Sequence, residues 1–138
     1  MSERSTNVAS YLLDTTVIID YLRGHAKVRA RLQALVEQQH ELTVCAISIA
    51  EVFAGLREED REATERFMSS LKYLALSFDT ARSAGETQYV FARRGQALKL
   101  TDVLIGAAAL AHDAILLTDN VKDFPLPGLQ VERLPSSR

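Results

Sequence analysis

The chain holds a single cysteine, Cys45, no tryptophan, and only 3 prolines and 6 glycines in 138 residues. One cysteine excludes an internal disulfide and any cysteine-based zinc cluster. With so little proline and glycine, no low-complexity tract and no internal repeat, no stretch reads as a linker, and one domain over residues 1–138 is expected. Long apolar runs are missing too. The longest, Val103 to Ala111, contains Gly106 and falls far short of the roughly 20 residues a membrane span requires. Residues 1–10 carry no apolar signal core, so a cytoplasmic location is the default expectation. Nor is there a surplus of one charge: 18 acids face 16 bases, for a net charge of −2. Proteins that hold duplex DNA through its phosphates usually carry a basic surplus, so any surface for nucleic acid must be local. The 47% apolar and 25% charged residues match ordinary globular usage and argue against disorder.

Several chemistries are absent as well. His25, His40 and His112 share no helical face and form no HExxH pattern, which disfavours a zinc peptidase. No GxGxxG, GxxxxGK[ST] or GxSxG occurs, so dinucleotide, P-loop and serine-hydrolase sites are not expected. Cys45 sits among apolar neighbours and reads as a core residue rather than a nucleophile.

What is present is an alternation of strands and helices. Tyr11-Leu12-Leu13 reads as a strand ending at Asp14, followed by a short helix ending at Gly24. Val28, Leu32, Leu35 and Val36 recur at helical spacing, and Leu42 to Ile47 reads as the second strand. Ser48 opens the next helix, Glu58 to Tyr73 forms a polar one, and Leu74 to Phe78 resembles a third strand. Asp79 is placed to cap a helix that stops at Gly95, and Thr101 to cap an apolar helix over Val103 to Ala111. Ile115 to Leu117 is a buried strand, and Val131 and Leu134 suggest a last one at the edge. Such alternation predicts a mostly parallel sheet covered by helices on both faces.

In an open sheet of this kind, ligands bind beyond the carboxyl ends of the strands. Asp14, Glu51, Asp102, and Asp119 with Asp123 all fall there, on four separate segments. Gathered carboxylates repel one another and raise each other's pKa unless something compensates, and all-carboxylate ligation suits Mg²⁺ or Mn²⁺. Each acid also has a plainer reading. Asp14 fits a helix N-cap, Ser48-Ile-Ala-Glu51 a capping box, and Asp102 the first turn of a helix whose dipole favours an acid. Asp119 and Asp123 fit a solvated loop, and Asp20 the polar face of the first helix.

Four segments resemble the ordered motifs of PIN-domain ribonucleases, especially the VapC-type toxins. They are Tyr11-Leu-Leu-Asp14-Thr-Thr-Val-Ile-Ile-Asp-Tyr-Leu-Arg-Gly24, Ser48-Ile-Ala-Glu51-Val, Leu100-Thr-Asp102-Val-Leu-Ile-Gly-Ala-Ala-Ala-Leu110 and Thr118-Asp-Asn120-Val-Lys-Asp123-Phe124. The resemblance implies a three-layer α/β/α fold and a Mg²⁺- or Mn²⁺-dependent endoribonuclease cutting single-stranded or loop RNA to leave a 5′-phosphate. It implies metal binding by Asp14 and Asp102, with Glu51 and a fourth acid completing the catalytic set. Asn120 holds the family's usual asparagine place and Asp123 its usual acid, while Asp119 is an additional acid; both acids remain candidates. Thr16 stands where the family commonly has asparagine. The resemblance further implies a small antitoxin partner and a homodimer. Arg93, Arg94 and Lys99 flank Asp102 in sequence and are candidates for the RNA backbone. Three alternatives stay open: an inactive PIN-like binding module, a haloacid-dehalogenase-type phosphotransferase, and a receiver-like interaction domain. The phosphotransferase wants an acid where this chain has Thr16.

Overall fold

A computed structural model describes residues 8–134. Five strands form one sheet: β1 (Ser10–Leu13), β2 (Glu41–Cys45), β3 (Lys72–Leu74), β4 (Ile115–Thr118) and β5 (Val131–Arg133). Their spatial order is β3-β2-β1-β4-β5, and every neighbouring pair is parallel. The helices are α1 (Thr15–Leu22), α2 (Ala26–Glu37), α3 (Ala46–Ala54), α4 (Arg61–Ser69), α5 (Phe78–Arg93) and α6 (Leu100–Ala111).

The two-residue period of the strands divides the core. Tyr11, Leu13, Val44 and Leu117 point to one face, where they meet Val17, Ile18, Val28, Leu32, Leu35, Val52 and Met68 of α1 to α4. Leu12, Cys45, Leu74 and Leu116 point to the other, against Ile105, Ala108 and Ala109 of α6. Helix α5 packs in turn on α6. The strands are apolar on both sides because both sides are covered, and the result is the expected α/β/α sandwich. Ala108 and Ala109 of α6 pack against the sheet, and Gly106 makes room for the segment before β5: a Cβ there would stand 2.5 Å from a methyl carbon of Leu126. No helix among the described residues is long and apolar enough to cross a membrane.

Several boundaries differ from the sequence pattern. The third strand lies earlier than expected, at Lys72–Leu74, because Ser77 caps α5 through the Thr80 N–H at 3.0 Å; Asp79 sits in its first turn instead. The polar segment from Glu58 divides into a 3₁₀ turn (Glu58–Asp60) and α4. Helix α3 starts at Ala46 with Cys45 as N-cap, so Ser48 lies inside the helix and the capping box does not form. Helix α6 likewise starts at Leu100 with Lys99, not Thr101, at the cap position.

Candidate active site

The chain leaves β1 at Leu13 and turns immediately into α1, so Asp14 stands at the carboxyl edge of the central strand. Its backbone N–H extends the sheet by donating to the Leu117 carbonyl at 3.0 Å. Its side chain is the N-cap of α1, accepting from the Thr15 N–H at 2.7 Å. Thr118, the last residue of β4, donates its hydroxyl to the other carboxylate oxygen at 2.7 Å, and Thr16 donates to that oxygen at 3.3 Å. Capping and a functional role are therefore compatible at this position. Asp14 is only 4% exposed. Burial raises its pKa; the bonds from Thr118, the Thr15 N–H and Thr16 oppose the rise, and Glu51 adds to it.

Glu51 lies in the middle of α3, facing α1, where its carboxylate accepts from the Thr15 hydroxyl at 2.6 Å. Asp102 lies in the first turn of α6. Its carboxyl is pushed up to about 6, by burial first and then by the negative charge of Asp14; Lys99 opposes this, while Asp123 and Glu51 add to it. Asp14, Glu51, Asp102 and Asp123 thus share one electrostatic neighbourhood, although they come from four separate segments.

The two loop acids part company. Asp123 closes a 3₁₀ turn (Val121–Asp123) and acts on Asp102. Asp119 turns toward β5, with its carboxylate 3.8 Å from Arg133 Nε. Asp20 is a correction to the sequence pattern: it is not on a solvated face but is 1% exposed, 3.5 Å from His25 Nε2. Of the flanking cations, Arg93 bonds the Tyr89 hydroxyl at 2.7 Å and lies over its ring, while Lys99 reaches the field of Asp102.

Thr118 is a site residue that the sequence pattern did not single out. Its hydroxyl accepts from the Asn120 N–H at 3.0 Å while donating to Asp14, tying the loop that carries Asp123 to the first motif. A polar residue at the carboxyl end of an otherwise apolar strand, Ile115-Leu-Leu-Thr118, was the available signal. Among the described residues, no group of three or more acidic, histidine or cysteine side chains is placed to hold a metal ion.

In an all-parallel sheet the ligand site lies beyond the carboxyl ends of the strands, where these acids collect. The family model for the PIN domain matches residues 11–125, and the chain belongs to the PIN domain family. Ribonuclease VapC19 of Mycobacterium tuberculosis is 34% identical over 120 residues, covering 86% of this chain and 96% of that protein. Ribonuclease VapC10 of the same organism is 31% identical over 115 residues, covering 83% and 86%. A toxin–antitoxin complex from Klebsiella pneumoniae superposes with a TM-score of 0.70 at 28% identity, over 86% of this chain and 94% of that one. VapBC2 from Rickettsia felis, solved bound to a DNA fragment from its promoter, shares the fold: TM-score 0.80 at 24% identity, over 90% and 98%.

Proposed function

We propose that this protein is a divalent-metal-dependent endoribonuclease that cuts single-stranded or loop RNA and serves as the toxin of a toxin–antitoxin pair. The observation that carries this reading is the gathering of Asp14, Glu51, Asp102 and Asp123 from four separate segments at one edge of the sheet, where burial and the other three acids push up the Asp102 carboxyl. Like charges drawn together call for a compensating partner, and a cation is the simplest one. The relatives named ribonuclease supply the reaction class.

The donor set fits a hard cation. Carboxylate oxygens suit Mg²⁺ or Mn²⁺, and Mg²⁺ is commonly held by one or two carboxylates while retaining several waters. Asp14 and Asp102 are the pair we assign to it. The Asp14 oxygens accept three bonds between them, and a carboxylate has about four acceptor sites, so a lone pair remains. When bound, such an ion polarises a phosphoryl oxygen and acidifies water.

The chain's own groups do the remaining work. Thr118, Thr16 and the Thr15 N–H fix Asp14, so its carboxylate needs no reorganisation when substrate arrives. Glu51 is assigned to orient the attacking water and accept its proton. Asp123 is assigned as the fourth acid, since Asp119 is directed to Arg133. Lys99 is the cation best placed for the RNA backbone. An unpaired strand fits this open edge because it can bend to present one phosphate.

The antitoxin belongs to the same proposal. A groove of about 540 Å³ runs from Glu51 between α1, α3 and α4, lined by Ile19, Leu22 and Val52 and by the charged Arg23, Arg57 and Asp60. A groove that mixes apolar and charged walls suits an amphipathic segment of a partner. A homodimer is proposed on exposed Phe78, Tyr89 and Val90 of α5. The decisive experiment is cleavage of a hairpin RNA by the purified protein with Mg²⁺, Mn²⁺ or EDTA. Cleavage that requires metal and stops on adding the product of the adjacent gene is the expected result. Metal-independent cleavage, or none, would overturn the enzymatic reading; sedimentation as a monomer would overturn the dimer.

A further inference from the structure

Thr15 touches both acids supplied by the first two motifs. Its backbone N–H donates to Asp14 Oδ1 at 2.7 Å, and its hydroxyl donates to Glu51 Oε1 at 2.6 Å. The same hydroxyl lies 3.1 Å from Ser48 Oγ. A hydroxyl has one proton and two lone pairs. The shorter contact, to a carboxylate, is the stronger and takes the Thr15 proton, so Ser48 is the donor in the longer one. Ser48 is 0% exposed, so its hydroxyl proton must find an acceptor within the protein rather than water. The order is then Ser48 to Thr15 to Glu51, linking α3 to α1 and back to α3.

This arrangement answers a physical difficulty at the site. Asp14 and Glu51 are like charges on different helices, and Glu51 has a long, half-buried side chain free to swing toward water. A donor between them offsets their repulsion and removes that freedom. Main chain and side chain of one residue do both, so the spacing of the two carboxylates is fixed by the geometry of Thr15 itself.

We infer that Thr15 is a positioning residue for the cleavage centre, holding the Asp14 and Glu51 carboxylates in register through its N–H and its hydroxyl, with Ser48 orienting that hydroxyl. The inference rests on the proposed reading in which both acids serve RNA cleavage. Replacement by valine preserves shape and the N–H but deletes the hydroxyl; replacement by serine keeps it.

The test is single-turnover RNA cleavage by the parent, Thr15→Val, Thr15→Ser, Glu51→Gln and the Thr15→Val/Glu51→Gln pair. Thr15→Val is expected to lose 10- to 100-fold, the usual cost of removing a group that orients a metal-site residue. Thr15→Ser is expected to stay close to the parent, and Thr15→Val to add no further loss to Glu51→Gln. A parent-like Thr15→Val, or a loss that multiplies with that of Glu51→Gln, would overturn the inference. A metal-free melting cycle on Thr15→Val, Glu51→Ala and their pair reads the contact without any activity. The two Tm shifts are expected to be non-additive; additive shifts would overturn the inference. A parent that does not cut RNA refutes the nuclease reading alone, because the melting cycle still decides the role of Thr15.

Discussion

Asp102→Asn gives the most discriminating test of the carboxylate cluster, because it separates charge from shape. The Asp102 carboxyl is raised from 3.8 to about 6, so the folded protein holds its proton more tightly than the unfolded chain does. Below pH 3.8 the group is protonated in both states and contributes nothing to stability. Between that value and about 6 the unfolded chain ionises first, and the native state loses stability as pH rises; above about 6 the loss is complete. Two pKa units correspond to about 3 kcal/mol at full weight. Asp102 is only half-buried, so solvent screening reduces the expected penalty to about 1 kcal/mol. Asparagine keeps the shape and removes the charge. In EDTA at pH 7.5 the variant is therefore expected to melt a few degrees above the parent, with the difference vanishing near pH 4. Adding Mn²⁺ is expected to raise the parent's Tm by mass action and leave the variant's nearly unchanged. A variant that melts below the parent at pH 7.5, or gains equally at pH 4, would refute the electrostatic argument.

Asp14→Asn is expected to abolish RNA cleavage while the far-UV circular dichroism stays native, since asparagine still caps α1. Asp123→Asn is expected to reduce cleavage strongly and Asp119→Asn to leave it near the parent's rate, measured on the same RNA; the reverse ranking would move the fourth acid to Asp119. Thr118→Val deletes a buried bond to a carboxylate, and a loss of about 1–3 kcal/mol in urea unfolding is expected together with a loss of cleavage.

Much of the frame was legible because its signals are local. Three apolar residues stopping at Asp14, and again at Thr118, mark strands whose two faces are both covered. The order of the segments then sends their ends to one edge. The details that were not legible depend on partners distant in sequence. Glu51 fitted a capping box until the sheet register, which pairs Cys45 with Leu74 of β3, ended β2 at Cys45 and let α3 begin at Ala46. Asp20 fitted a polar helix face because nothing in the helical period foretells the return of His25 at the next turn. The choice between Asp119 and Asp123 turns on Arg133, a β5 residue that no local pattern brings to that loop.

The bond from Thr118 to Asp14 spans 104 residues, and β1 pairs with β4 across the same stretch. Chains dominated by such non-local contacts fold slowly, since the intervening loop must close before the contacts form. During synthesis, Asp14 and Glu51 emerge long before Asp102, Thr118 and Asp123, and β1 then waits with one edge unpaired. The acid cluster is accordingly completed late, when β4 seats beside β1. A chain that ends before β4 lacks Thr118 and Asp123, so the topology leaves an incomplete copy without the full set of acids.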